Sequence, residues 1–203
     1  MSNGVDPFEW SGGHPALDLV NTLDERPFDT PIENLATYRD LVHFVELAGL
    51  IEAPLAASLR GRASPACTRV TTRARELREH LHEVLGATHR GEPIPQGDLD
   101  AIAAAIQAAH GARHLVAISS RSFASHRWAR EARTDIPLHA CALAIEHLLV
   151  DLDRTRIRKC GAHDCDVYFI DTSKGQRRQW CSMKNCGNRE KQRRWRSGLH
   201  RIH

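Results

Sequence analysis

Four cysteines in the last 44 residues constrain this chain more than any other feature. They stand as C-x4-C-x15-C-x4-C, at Cys160, Cys165, Cys181 and Cys186. Two short-spaced pairs separated by about a hairpin's length suit a tetrahedral zinc ion, each pair gripping one edge of the metal. The intervening "VYFIDTSKGQRRQW" predicts a two-stranded hairpin that turns at Ser173, Lys174 and Gly175 and returns to Trp180. Roughly 50 residues bury too little apolar surface to hold such a hairpin, and a structural zinc contributes on the order of 10 kcal/mol.

The competing reading of paired cysteines is a pair of disulfides. The opening "MSNGVDPFEWSGGHPALDLV" lacks the basic and apolar regions of a secretory signal, which predicts a cytoplasmic chain with reduced thiols. No apolar run approaches the ~20 residues that span a bilayer, so no membrane role is expected. Neither pair has the C-x-x-C spacing of redox dithiols. Four thiolates close the coordination shell, so the expected ion, one Zn2+, is structural and the protein is not an enzyme on its account. His163, inside the first pair, is an alternative ligand. Cys67 and Cys141 stand singly in helical stretches and read as small core hydrophobes.

Charge divides the chain at the same place. Up to Asp153 there are 14 Lys and Arg against 21 Asp and Glu, a net of −7; from Arg154 onward there are 14 against 4, a net of +10. Four thiolates and one zinc together carry −2, so the tail stays strongly basic. An acidic body with a basic tail predicts an anionic partner, nucleic acid before membrane.

Upstream, apolar residues recur at helical spacing, and 41% hydrophobic composition supports a real core. Pro15 opens a short helix carrying Leu17, Leu19, Val20 and Leu23. Further helices are expected over 34–50, through "APLAASLR", and after Ser64-Pro65, where Val70, Ala74, Leu77, Leu81 and Val84 make one stripe. A fourth helix, "DLDAIAAAIQAAHG", is expected to be capped by Asp98. The period then shifts toward two in "RHLVAIS" and "SFASHRWAR", a β-hairpin turning through "SSRS". "IPLHACALAIEHLLVDLD" returns to helix. The expected fold is mainly α: a multihelical N-terminal domain with a small β-hairpin over 1–153, then a zinc module over 154–203.

The last cysteine leads into "GNREKQRRWRSG", a basic helix whose origin the metal would fix. Arg189, Arg193 and Arg196 share one stripe, flanked by Lys191 and Arg194. Trp195 and Leu199 are expected to dock this helix on the knuckle. Adjacent cations repel along a helix, and an anionic ligand reverses that penalty. Arg177, Arg178, Lys184, Asn188, Arg189, Lys191, Arg193, Arg194 and Arg196 are therefore the expected nucleic-acid contacts. In a major groove, arginine reads guanine and asparagine adenine. Tyr168, Phe169 and Trp180 read as core rather than as stacking platforms for RNA.

"CGAHDC" and "WCSMKNCGNREK" resemble the CGNR zinc finger family, and "GGHPALDLVNTLDER" is similar to the start of the ABATE domain that precedes this finger. Together they cover nearly the whole chain, departing at Gln179, where the family often has a basic residue. The resemblance implies a helical ABATE domain, a treble-clef-like or ribbon-like finger (β-hairpin and basic helix) and a stress-related transcriptional regulator. It assigns zinc to the same four cysteines, and its Gly-Asn-Arg to Gly187, Asn188 and Arg189.

Asp18, Asn21, Thr22 and Arg26, spaced along one helical face, are candidates to bind a small-molecule effector; capping and loop anchoring is the plainer reading. The histidines, His80, His82, His200 and His203 among them, show no convergent ligand pattern. No P-loop, GxSxG, HExxH or Rossmann fingerprint occurs. The function expected is a regulator that binds DNA through its zinc module and senses an effector, or forms a homodimer, through its helical domain. The alternative is a protein-interaction module whose basic helix docks on an acidic surface.

Overall fold

The computed structural model of the chain describes residues 6–118, 122–131 and 133–199. Two compact units form: residues 35–152 make one, and residues up to 34 join those from 153 onward in the other.

The first unit is helical. Helices α2 (Tyr38–Leu47), α3 (Ala53–Arg60), α4 (Pro65–Arg90), α5 (Gln96–Gly111) and α6 (Ile136–Asp151) pack around one core, with hairpin β3 (Arg113–Ala117) and β4 (Ala124–Trp128) beside them. The long α4 starts where Ser64 accepts from the Cys67 N–H and stops where Gly91 turns left-handed at φ +70°. Its apolar stripe, Val70, Ala74, Leu77, Leu81 and Val84, is buried. Helix α2 begins at Tyr38 rather than near 34, because Thr37 and Asp40 close a capping box. Helix α5 begins after Pro95, one turn earlier than a cap at Asp98 would allow. Of the expected "SSRS" turn, residues 119–121 lie outside the described residues, as do His200 and His203.

Cys67 and Cys141 are both core residues. Burial pushes the Cys141 thiol up to about 12, so it stays protonated and inert.

The second unit carries the cysteines. Its N-terminal part is α1 (Pro15–Val20), then β1 (Leu23–Asp24) paired antiparallel with β2 (Ile32–Glu33). Its C-terminal part is β5 (Ile157–Lys159), β6 (Tyr168–Ile170) and α7 (Asn188–Leu199). Here the structure differs from expectation. Residues 168–170 do not pair with a strand returning to Trp180; they pair backward with β5, in register Ile157 to Ile170, Arg158 to Phe169 and Lys159 to Tyr168. Asp171 ends the strand, accepting from the Ser173 N–H at 2.9 Å, the Ser173 hydroxyl at 2.6 Å and the Arg178 N–H at 2.9 Å. The first cysteine pair therefore sits at the tip of the hairpin.

The N-terminal part is stitched to this hairpin. Gly12 O accepts from Ile170 N at 2.8 Å, and the Asn21 amide bonds both backbone groups of Tyr168 at 3.0 Å each. A small core of Ala162, Val167 and Phe169 lies against the cysteines, with Trp180 half-buried on it.

Candidate functional site

Strand β5 delivers Cys160, whose N–H donates to Val167 O at 2.8 Å, and the turn between them places Cys165. Cys165 N donates to Ala162 O at 3.2 Å. The second pair comes from a π-helical turn over Met183–Gly187, where Ser182 caps the Asn185 N–H and its carbonyl accepts from Gly187 N at 2.9 Å. The wide turn carries Cys186 back toward Cys181, and α7 starts immediately after it.

The four Sγ atoms lie within 4.8 Å of one another. Cys165 and Cys181 are 3.8 Å apart, Cys181 and Cys186 3.4 Å. Zinc–sulfur bonds of ~2.3 Å in a tetrahedron set sulfurs about 3.8 Å apart, so the cluster fits one structural zinc ion. None of the six cysteines is in a disulfide. Crowding makes their protons interdependent. Hydrogen bonds from Cys165 and Cys181 push the Cys160 thiol down to about 2, and those same bonds hold the Cys165 and Cys181 thiols up. A dication relieves this by displacing the remaining protons.

Around the sulfurs lies a shell of donors. Cys181 N donates to Cys160 Sγ at 3.4 Å, and Arg189 Nη2 reaches Cys186 Sγ at 3.4 Å. Such donors offset the −2 charge of a tetrathiolate centre. His163 points elsewhere: its Nδ1 is 3.0 Å from Glu190 Oε1, outside the sulfur cluster.

Two arginines of helix α7 pair with carboxylates of the module while their side chains stay half exposed. Arg189 Nη2 pairs with Asp164 at 2.8 Å. Arg193 holds the buried Glu190 through two bonds of 3.0 and 2.7 Å. Arg193 and then His163 hold the Glu190 carboxyl down at about 2. Arg194 lies over the Trp180 ring at 6.0 Å. Arg178 is also committed: it stacks on Phe169 at 4.3 Å and donates to the Trp180 and Cys181 carbonyls.

Of the expected contacts Arg177, Lys184, Asn188, Arg189, Lys191, Arg193, Arg194 and Arg196 are exposed, and Arg178 is half-buried. Among the described residues, Lys184, Lys191 and Arg196 enter no salt bridge. Trp195, expected to anchor the helix, is instead 69% exposed. The helix is anchored by Glu190 and the Arg194–Trp180 contact, on the side opposite Trp195.

Asp18 accepts from the Gly12 N–H at 2.8 Å, and burial pushes its carboxyl up to about 6. Thr22 donates to Leu19 O at 2.6 Å, and Arg26 reaches Val20 O at 3.4 Å. Asn21 and Arg26, but not Asp18 or Thr22, line a cavity of about 240 Å³ shared with Glu9, Asp164, Cys165 and Arg189.

Two family models match this architecture. The ABATE model, described as "Putative stress-induced transcription regulator", matches residues 13–152, and the CGNR zinc finger model matches 156–197. The chain belongs to the ABATE family. No curated protein matches it. Neither family is enzymatic in description, and no helix among the described residues is long and apolar enough to cross a membrane.

Three positioning residues of this ABATE protein, Glu190, Asp164 and Asp171, were not among the expected site residues. Glu190 and Arg193 stand at i and i+3, a spacing that signals a helical pair. Asp164 lies inside "CGAHDC", where a carboxylate beside a metal knuckle suggests a partner for a nearby cation. Asp171 follows the strand as an acceptor with a serine two positions on, a turn signature.

Proposed function

We propose that the protein is a transcriptional regulator whose zinc module binds nucleic acid, DNA in the first instance, through the outward face of α7. The supporting observation is the helix's asymmetry. Arg189 and Arg193 are tied to Asp164 and Glu190, whereas Lys184, Lys191 and Arg196 enter no salt bridge among the described residues. Cations held in place by zinc neutralise phosphates and release counterions, which yields affinity with little sequence information. Arg177 and Asn188 extend the face. On this reading Arg178, Arg189 and Arg193 position the helix.

The helical N-terminal domain serves to sense an effector or to associate with a second subunit, and the protein works in the cytoplasm. A small-molecule effector fits best in the cavity lined by Asn21 and Arg26, where it would lie beside Arg189 and a zinc ligand.

Titration of zinc-loaded protein against duplex DNA at several salt concentrations tests the function. Engagement of about four phosphates predicts a log–log slope near −3.6. Binding that is absent at low salt refutes it.

A second reading has one observation in its favour. Two arginines of α7 already take carboxylate partners within their own module, so the outer cations suit an acidic protein surface as well. Salt-dependent binding to an acidic protein, with none to DNA or RNA, would select it.

A further inference from the structure

The aromatic residues of the zinc module are used in two different ways. Tyr168 and Phe169 are fully buried, and Trp180 is half-buried beneath Arg194. None of these three offers a free ring face to a ligand. Trp195 is the contrary case, 69% exposed on a helix whose other side chains from Asn188 to Ser197 are charged or polar. Leaving an indole in water forgoes the largest apolar burial available to any side chain.

Its neighbours on the helix give the ring a context. Positions 188, 191 and 195 follow i, i+3 and i+7, so Asn188, Lys191 and Trp195 share one face. Lys184 precedes them by one turn, and Arg196 follows Trp195 on the neighbouring stripe of Arg189 and Arg193. Away from that face the buried Glu190 bonds His163 and Arg193, and Arg194 lies over the Trp180 ring. Lys191 stands one turn, about 6 Å, from Trp195 along the axis. An exposed indole with an ammonium group one turn away on the same face is complementary to a nucleobase and its phosphate.

From this juxtaposition we infer that Trp195 is a stacking site for an unpaired nucleobase, so that the outer face of α7 prefers single-stranded or locally unpaired nucleic acid over intact duplex. The inference rests on the nucleic-acid reading above and refines its substrate class. In a duplex both faces of each base are covered by neighbours, and an indole gains a base face only where the stack is open. Lys184, Lys191 and Arg196 hold the strand by its phosphates, and Trp195 adds a contact that does not depend on salt. Every base has a π-face, so the site tolerates any sequence.

The test uses full-length, zinc-loaded protein with labelled oligothymidylate and with a duplex of equal length, both followed by anisotropy across a salt series. Wild type binds the single strand more tightly. Trp195→Ala weakens that binding at least about tenfold without changing the salt slope, and Trp195→Phe recovers most of it. Lys191→Ala instead lowers the slope by about 0.7 on the single strand. Zinc content equal to wild type shows that each variant is folded. If wild type binds both forms and Trp195→Ala loses nothing on the single strand, or loses equally on both, the stacking site is refuted and the phosphate interface stands. If wild type binds neither form at low salt, the nucleic-acid reading falls and this inference with it.

Discussion

Asn21 completes both hydrogen bonds of its side-chain amide on the backbone of Tyr168: Nδ2 donates to the carbonyl and Oδ1 accepts from the N–H, each at 3.0 Å. The amide acts as one residue of a β-ladder, extending β6 toward α1. All the groups are buried, so removing the side chain strands a donor and an acceptor inside the protein. Asn21→Ala should lower stability by about 2–4 kcal/mol, read as the midpoint of denaturant unfolding. Asn21→Asp, which keeps the acceptor but lacks the donor, should be destabilised too. A loss under about 0.5 kcal/mol for both would mean that the N-terminal part does not brace the zinc module.

Gly12 supplies the second stitch and has no room for a side chain. A Cβ there would meet Asp18 Oδ1 at 2.7 Å, Leu17 Cβ at 2.9 Å and Asp18 N at 3.0 Å. Since the first turn of α1 cannot yield, Gly12→Ala should destabilise by about 1–3 kcal/mol. Thermal unfolding of the variant against Gly13→Ala, whose Cβ would meet Ile170 at 3.8 Å but whose φ is +73°, separates crowding from backbone strain. Crowding predicts that Gly12→Ala melts with exposed hydrophobic surface around the finger, seen as dye binding, before residues 35–152 unfold.

The buried carboxyl of Asp18 ties stability to pH. Its pKa is raised from 3.8 to about 6, chiefly by desolvation. Between those values the folded protein binds more protons than the unfolded one, so stability falls as pH rises through that window and levels off above it. Asp18→Asn keeps an acceptor for the Gly12 N–H and removes the charge. The stability difference between the two proteins should grow in favour of the variant from about pH 4 to pH 6. Both share the pH dependence of zinc release, so the difference isolates Asp18. A constant difference across the range would contradict this origin.

Metal removal should undo the C-terminal part selectively. Cys160, Cys165, Cys181 and Cys186 share one small apolar cluster with Phe169 and Val167. Stripping the zinc with a chelator should release one ion per chain and abolish the helical signal of α7, while residues 35–152 keep their own core. Cys181→Ser should behave like the stripped protein, whereas Cys67→Ser should keep full zinc content. Circular dichroism with metal analysis reads both.

The cysteine ligands and the basic helix were legible in the sequence because their signals are local: a fixed spacing in one case and a run of cations in the other. The helical unit was legible for the same reason, since stripes such as Val70, Ala74 and Leu77 repeat at the period of one element. The hairpin was harder. "VYFI" announces a strand, but its partner is the short basic "IRK" on the other side of the cysteine pair, chosen by the turn between Cys160 and Cys165. Nothing local marks Asn21 as the partner of Tyr168, 147 positions away. Trp195 misled for a physical reason. An indole on a short helix usually docks it, yet here the buried Glu190 and the Arg194–Trp180 contact already do so.

In the proposed function zinc presents Lys184, Lys191 and Arg196 to nucleic acid, while Arg189 and Arg193 are held by Asp164 and Glu190. The most direct measurement is a salt titration of DNA and RNA binding by zinc-loaded protein, chelator-stripped protein and the triple variant Lys184→Ala/Lys191→Ala/Arg196→Ala. Zinc-loaded wild type should bind with a slope near −3.6 on duplex DNA, stripping should remove binding, and the triple variant should flatten the slope to about −1. Equal affinity with and without zinc, or a triple variant that keeps the wild-type slope, would contradict the proposed function.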